Sequence, residues 1–343
     1  MKVTIDDVAR LAGVSKTTVS RILNGNYSQA TEETKDKVLK VISELNYRPN
    51  PMARGLKQMR TNIIGIVLSN LSNPFWSRVL EGVEDTCRQS GYSLMVCNSS
   101  EDSAREAELI EGLQLRQVDG IIVNPTVNNR ELFEEIVKKK YPLIVINRRI
   151  EGLDVDDVVM DNKRGAWLAV DHLLGAGRRK PVCVVYRPEG VSTWQDRLLG
   201  FEEAMSEKGL EVTEQQILRV DNAIGRVKAA VIAYFKGKPD ADAIFSTNNM
   251  MTLEILEGLK ELGLRVPEDI ALIGYDETIW AKHLNPPLTT VRQPAYEMGK
   301  IAAKNLIQKI SSKTARKPKH VVLEPDLIIR SSSGTGSTSS TSS

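Results

Sequence analysis

The chain has 343 residues, of which 41% are hydrophobic, 26% charged and only 5% aromatic. That composition supplies cores for two domains or more and excludes a wholly disordered or fibrous protein. Net charge is +2, yet residues 1–60 hold 11 Lys and Arg against 6 Asp and Glu, whereas the remaining 283 hold 35 against 38. A basic head on a mildly acidic body suits a nucleic-acid-binding module joined to another domain.

The head divides into three short helices. Ile5, Val8, Ala9 and Ala12 follow helical spacing, with Thr4, Asp6 and Asp7 suited to a helix N-terminus. Gly13 stops that helix, and Ser15 caps a second, Lys16 to Leu23. A third starts at Thr31, with Glu32 and Glu33 in its first turn and Val38, Val41, Ile42 and Leu45 on one face. Helix, glycine turn and polar-fronted helix match the helix-turn-helix arrangement, although a plain helical bundle has the same apolar spacing. With Val19, Ile22 and Leu23 inward, Lys16, Thr17, Ser20 and Arg21 face out, where hydroxyls and cations reach base edges and phosphates.

Asn46-Tyr47-Arg48-Pro49-Asn50-Pro51 punctuates the chain, and the stretch MARGLKQMRTN leads into an apolar strand, Ile63 to Leu68. Beyond it, strand-like runs at 92–97, 119–123, 142–146, 181–186, 243–245 and 271–273 alternate with amphipathic segments at 75–90, 103–116, 163–174, 196–208 and 250–262. Such alternation predicts parallel sheets with right-handed crossovers, and ten or so strands suit two α/β lobes. The pair Asp156-Asp157 reads as a solvated turn, and the closing SSSGTGSTSSTSS as a disordered tail.

Ordinary enzyme chemistry has no foothold. The three histidines, His172, His283 and His320, lack metal-ligand spacing, and there is no GxSxG, GxxxxGK[ST] or strand-borne GxGxxG. No cofactor and no metal are expected. Cys87, Cys97 and Cys183 are too scattered for a disulfide framework and read as half-buried thiols in a reducing compartment. No run approaches 18 apolar residues, and MKVTIDDVAR carries no apolar core or cleavage site, so a cytoplasmic protein without a membrane partner is expected.

The ordered series VTIDDVARLAGVSKTTVSRILN, ELNYRPNPMARGLK, IGIVLSNLSNPFW, DGIIV, DHLLGAGRRK, RLLGFEEAM, GLRVPEDIALIGYDE and PPLTTVRQP resembles the lac/galactose repressor (LacI/GalR) family over about residues 2–330. The resemblance implies an α-helical helix-turn-helix head on a two-lobed α/β core like that of periplasmic binding proteins, with parallel sheets. It places the head at 1–48, a hinge at 49–61, and a core at 62–330 that crosses between lobes near 161, 290 and 323. The first lobe is then 62–160 plus 291–322, the second 161–289 plus 323–330, and the tail 331–343. By the same resemblance the chain is a transcription regulator, expected to be a repressor, binding a pseudo-palindromic double-stranded operator as a homodimer. Nothing in the tail could form the Leu-rich heptad helix that makes some relatives tetrameric. The positions implied to face DNA are Thr4, Ser15, Lys16, Thr17, Thr18, Ser20, Arg21 and Asn24 in the head, and Asn50, Ala53, Leu56 and Lys57 in the hinge. Leu56 aligns with a leucine that wedges into a minor-groove base step.

Ligands of open α/β sheets sit beyond the carboxyl ends of strands. That rule and the resemblance select Asn73, Phe75, Asn124, Asn147, Arg148, Arg149, Asp161, Arg187, Arg197, Asn248, Asp276 and Gln293 as effector-binding candidates. Many relatives carry Asn-Asp where this chain has Asn248-Asn249, a lost carboxylate that disfavours a neutral hexose. Four arginines near strand ends, Arg148, Arg149, Arg187 and Arg197, point to an anionic sugar derivative, with Arg197 and Arg148 clamping it from opposite lobes. Within the family the chain is similar to regulators of 2-keto-3-deoxygluconate catabolism, which implies such a sugar acid. A second family mode, a phosphorylated phosphocarrier protein acting as co-regulator, stays open, as does whether the effector releases or tightens DNA binding.

Overall fold

The structure, a computed structural model, describes residues 3–23, 25–27, 30–47, 60–187, 190–312 and 316–334. The chain forms two compact units, Met1–Thr61 and Asn62–Ser343.

The first unit is built by three helices, Ile5–Ala12, Lys16–Leu23 and Glu32–Glu44. Thr4 and Asp7 form a reciprocal capping box at the start of the first. Gly13 closes it at φ 67°, the left-handed conformation that an L side chain resists. The buried residues Val8, Ala9, Ala12, Val19, Ile22 and Val38 make its core, drawn from all three helices.

The second unit has two six-stranded sheets. The first runs β11-β5-β4-β3-β1-β2, where β1 is Ile63–Leu68, β2 Ser93–Asn98, β3 Gly120–Val123, β4 Leu143–Ile146, β5 Asp157–Met160 and β11 His320–Leu323. Every pairing in it is parallel. The second runs β12-β10-β9-β8-β6-β7, where β6 is Pro181–Arg187, β7 Ile217–Asp221, β8 Ala243–Ser246, β9 Ala271–Tyr275, β10 Thr289–Arg292 and β12 Asp326–Ile328. Only its β10–β12 pair is antiparallel. Strands such as β1, β3, β4, β8 and β9 are almost continuously buried, as strands covered by helices on both faces must be. The helix Ala295–Ser311 packs on Phe75–Gln89 in the first lobe, and Asn162–Gly175 packs on Ser192–Glu207 in the second.

Strand membership moves two boundaries. β10 pairs with β9 and β12, so 291 and 292 belong to the second lobe and the second crossing is Gln293–Pro294, not position 290. Leu323 pairs with Met160 and stays in the first lobe, which puts the third crossing at Glu324–Pro325. The first crossing is Asp161, between β5 and the helix Asn162–Gly175.

Three expectations are overturned. Asp156 and Asp157 are not a solvated turn, being only 3% and 6% exposed. Asp156 pairs with Lys309 at 2.6 Å and Arg316 at 2.7 Å, which hold its carboxyl below the usual range despite burial, and Asp157 opens β5 against His320. Nor is the tail disordered from residue 331, since Ser332 and Ser333 are buried. The Ser332 hydroxyl donates to the Leu272 carbonyl at 2.6 Å and accepts from the Thr289 amide at 2.8 Å. Ser333 meets His172 Nε2 at 2.9 Å and Thr289 Oγ1 at 3.0 Å. Serine there matches buried backbone groups that an apolar side chain would strand. Two of the three thiols, Cys87 and Cys183, are fully rather than half buried. No described helix is long and apolar enough to cross a membrane.

Candidate functional site

The polar face of the head is the helix Lys16–Leu23. Ser15 accepts from the Thr18 amide at 3.1 Å and its hydroxyl lies 2.9 Å from that of Thr18, so both side chains secure the helix start. Thr4 is likewise held by Asp7, its hydroxyl donating at 2.7 Å. Lys16, Thr17 and Arg21 are exposed and Ser20 half-buried. Lys16 pairs with Asp6 at 2.5 Å, but with side chains 63% and 57% exposed the pair is weak and can yield to a phosphate or base edge. Asn24, Asn50, Ala53, Leu56 and Lys57 lie outside the described residues.

In the second unit one cleft lies between the lobes. It is lined from the first lobe by Asn73, Phe75, Asn147 and Arg148, from the second by Arg197, Asn248 and Asp276, and at the second crossing by Gln293. Arg197, on the helix Ser192–Glu207, is 3% exposed. Its Nε donates to Asn162 Oδ1 at 2.9 Å, its Nη1 to the Thr247 carbonyl at 2.6 Å, and its guanidinium lies 3.7 Å from the Tyr275 ring centroid. Gly200, one turn along, permits this, because a Cβ there would overlap the Lys163 carbonyl. Among the described residues no carboxylate lies within 4.0 Å of Arg197.

Arg148 differs. Its two terminal nitrogens grip Glu101 at 2.8 and 2.7 Å, and the guanidinium lies 5.6 Å from the Trp194 ring. It brings no net charge to the cleft, so the expected two-arginine clamp is corrected to a single arginine, Arg197, whose hydrogen-bond partners are neutral and whose charge the Asp276 carboxylate meets only across the cleft. Asp276, 3% exposed, accepts from Asn249 Nδ2 at 2.9 Å and from Gln293 Nε2. Burial pushes its carboxyl above the usual range, opposed by the Arg197 charge and the Gln293 bond. The same Asn249 amide donates to Asn73 Oδ1 at 2.8 Å, joining the lobes. Four buried atoms in or beside the cleft lack a protein partner: Asn147 Oδ1, Asn249 Oδ1, Gln293 Oε1 and Arg148 Nε. Buried polar atoms left so are costly without a ligand or solvent partner. Aromatic side chains complete the walls, Phe75 and Trp76 from one lobe, Tyr186 and Trp194 from the other.

Residues 4–50 match the family described as "Bacterial regulatory proteins, lacI family", and residues 61–330 match "Periplasmic binding proteins and sugar binding domain of LacI family". The chain belongs to the LacI family. It is 36% identical over 321 residues to the Paenibacillus polymyxa protein named "Probable HTH-type transcriptional regulator EndR", covering 91% of this chain and 92% of that one. It is 34% identical over 335 residues to the HTH-type transcriptional regulator KdgR of Bacillus subtilis (strain 168), covering 96% and 97%. Its fold matches the transcriptional regulator CelR in a cellobiose complex with a TM-score of 0.73 at 30% identity, covering 96% of this chain and 99% of that one. It is a DNA-binding transcription regulator and not an enzyme.

Four candidates fall outside the LacI-family cleft. Asn124 is fully buried behind it, donating to Ser69 Oγ at 2.6 Å. Asp161 caps the helix Asn162–Gly175 through the Arg164 amide. Arg149 lines a separate hollow beside His320, its side chain 4.0 Å from Asp196, and Arg187 lines an outer recess with Asp221. Arg149 follows β4 by three residues and Arg187 ends β6, and the recess of Arg187 shares Glu101, Trp194 and Asn222 with the cleft, so Arg187 stands at its margin. The residues sequence reasoning missed include Ser69, Asn70, Glu101 and Asn222, all just beyond strand ends and so open to the same rule. Thr193 and Trp194 sit on a helix, where no strand-end rule could find them.

Proposed function

We propose that this regulator controls carbohydrate-catabolic genes and that a sugar-derived acid, represented by 2-keto-3-deoxygluconate, binds the cleft and alters operator affinity. The observation that carries this reading is Arg197, a buried guanidinium held only by neutral partners. The Asp276 carboxylate balances that charge only from across the cleft, and a ligand carboxylate in direct contact would add the paired, charge-assisted hydrogen bonds that Arg197 lacks. The three unpartnered acceptors, Asn147 Oδ1, Asn249 Oδ1 and Gln293 Oε1, suit ligand hydroxyls, and the aromatic walls suit the C–H faces of a sugar. CelR, a relative of this fold, is described with a bound sugar.

In the head, Lys16 and Thr17 read bases, with Arg21 one turn further on the same exposed face. The protein acts as a homodimer on a pseudo-palindromic operator, as repressors of two-fold symmetry do. Effector coupling of about 1–3 kcal/mol would change operator affinity about 5–150-fold. Fluorescence anisotropy on operator DNA, titrated with matched sugars, sugar acids and sugar phosphates, tests this directly. A shift of that size with a sugar acid and none with its neutral counterpart is expected. A response to the neutral sugar alone would overturn the anionic reading.

A further inference from the structure

Two of the cleft's charged side chains, Arg197 and Asp276, are each bonded to a residue at a lobe crossing. Arg197 Nε donates to Asn162, the first residue after the Asp161 crossing, and Asp276 accepts from Gln293, which is itself part of the second crossing. Asn162 is 2% exposed, and both its amide nitrogen and its amide oxygen are bonded. Its Nδ2 donates to the Met160 carbonyl at 3.2 Å, at the end of β5 in the first lobe. Its Oδ1 accepts from Arg197 at 2.9 Å and lies 3.4 Å from the Tyr275 hydroxyl, both in the second lobe. One amide thus links the last residue of a first-lobe strand, the crossing itself and the cleft's buried cation.

We propose that Asn162 is a positioning residue that fastens Arg197 to the first crossing, so that the placement of the Arg197 guanidinium sets the angle between the lobes. The inference rests on the reading of the cleft as the effector site, but its geometry does not depend on the ligand. A ligand that draws the Arg197 guanidinium by a few tenths of an ångström moves Asn162 Oδ1, and with it the segment about which the second lobe turns. Packing transmits the shift, because Gly200 lets the helix Ser192–Glu207 lie directly against the backbone of Asn162–Gly175. Neutrality matters as well as reach. A neutral acceptor orients Arg197 without occupying it with a direct ion pair.

The test uses the full chain carrying one fluorophore on each lobe, with the inter-lobe distance distribution read by single-molecule energy transfer. Asn162→Ala is expected to broaden and shift that distribution without any ligand, whereas Tyr141→Phe, which removes a bond to the Val118 carbonyl within one lobe, leaves it unchanged. Asn162→Asp keeps the acceptor for Arg197 but loses the donor to the Met160 carbonyl, so a distribution between those of wild type and Asn162→Ala is expected. The same variant should lose at least tenfold in affinity for 2-keto-3-deoxygluconate, because its carboxylate neutralises Arg197. Thermal melts confirm that each variant is folded. A wild-type distribution for Asn162→Ala would overturn the proposal. Failure of wild type to bind the sugar acid would count against the effector reading alone, since the distance measurement stands without it.

Discussion

The side-chain amide of Asn249 donates to Asn73 Oδ1 at 2.8 Å and to Asp276 Oδ2 at 2.9 Å, so one amide spans the two lobes and touches the cleft's buried carboxylate. Only a donor fits there. A carboxylate at 249 would face Asp276 at hydrogen-bond distance, and two such groups cannot both be ionised.

Asn249→Asp should therefore be destabilised most at alkaline pH. The acid's folded-state pKa is raised above its unfolded value, so the folded state binds more protons and stability falls as pH rises through that window. A loss of about 1–3 kcal/mol at pH 8, recovered toward pH 5, is expected from urea denaturation. Asn249→Ala, which only removes a donor to Asp276, should lose stability with a smaller pH dependence. An Asn249→Asp protein whose loss is equal at both pH values would contradict the arrangement.

The tail offers a second check. Ending the chain at Arg330 removes Ser332 and Ser333 and strands the Leu272 carbonyl and Thr289 amide, for a loss of about 2–4 kcal/mol. A chain ending at Gly334 keeps both bonds and should match wild type. Equal denaturation midpoints for the two truncations would show that the serines only rest on the surface.

Both features bear on what a sequence reveals. The buried runs of β1, β3 and β4 were legible because covered parallel strands are nearly all apolar. β5 was hidden because it opens on Asp157, and only the distant Lys309, Arg316 and His320 explain why acids are tolerated there. The serine run after Arg330 has a disordered composition, yet small hydroxyls satisfy buried backbone groups that no local pattern announces. In the cleft, Arg197 and Asp276 were found, but the neutralisation of Arg148 by Glu101 depends on a contact 47 positions apart. The cross-lobe role of Asn249 depends on one 176 positions apart.

In the head, Lys16→Ala should cost about 1–3 kcal/mol of operator affinity and relax discrimination at one base position. Fold stability should change by less than about 0.5 kcal/mol, since the Lys16–Asp6 pair is exposed. Anisotropy titrations on the operator and its single-base variants separate the cases. A uniform loss across all sequences would make Lys16 a phosphate contact.

The claim at the centre of the account is that Arg197 holds the carboxylate of a sugar acid. Isothermal calorimetry with 2-keto-3-deoxygluconate and a neutral sugar of the same size, on wild type, Arg197→Lys and Arg197→Ala, addresses it most directly. Lysine keeps the charge but loses the planar fork that bonds Asn162 and Thr247 together, so weakened binding is expected for Arg197→Lys and none measurable for Arg197→Ala. The neutral sugar should bind wild type at least tenfold more weakly than the acid. Tighter binding of the neutral sugar, or an Arg197→Ala protein that holds the acid as tightly as wild type, would contradict the account.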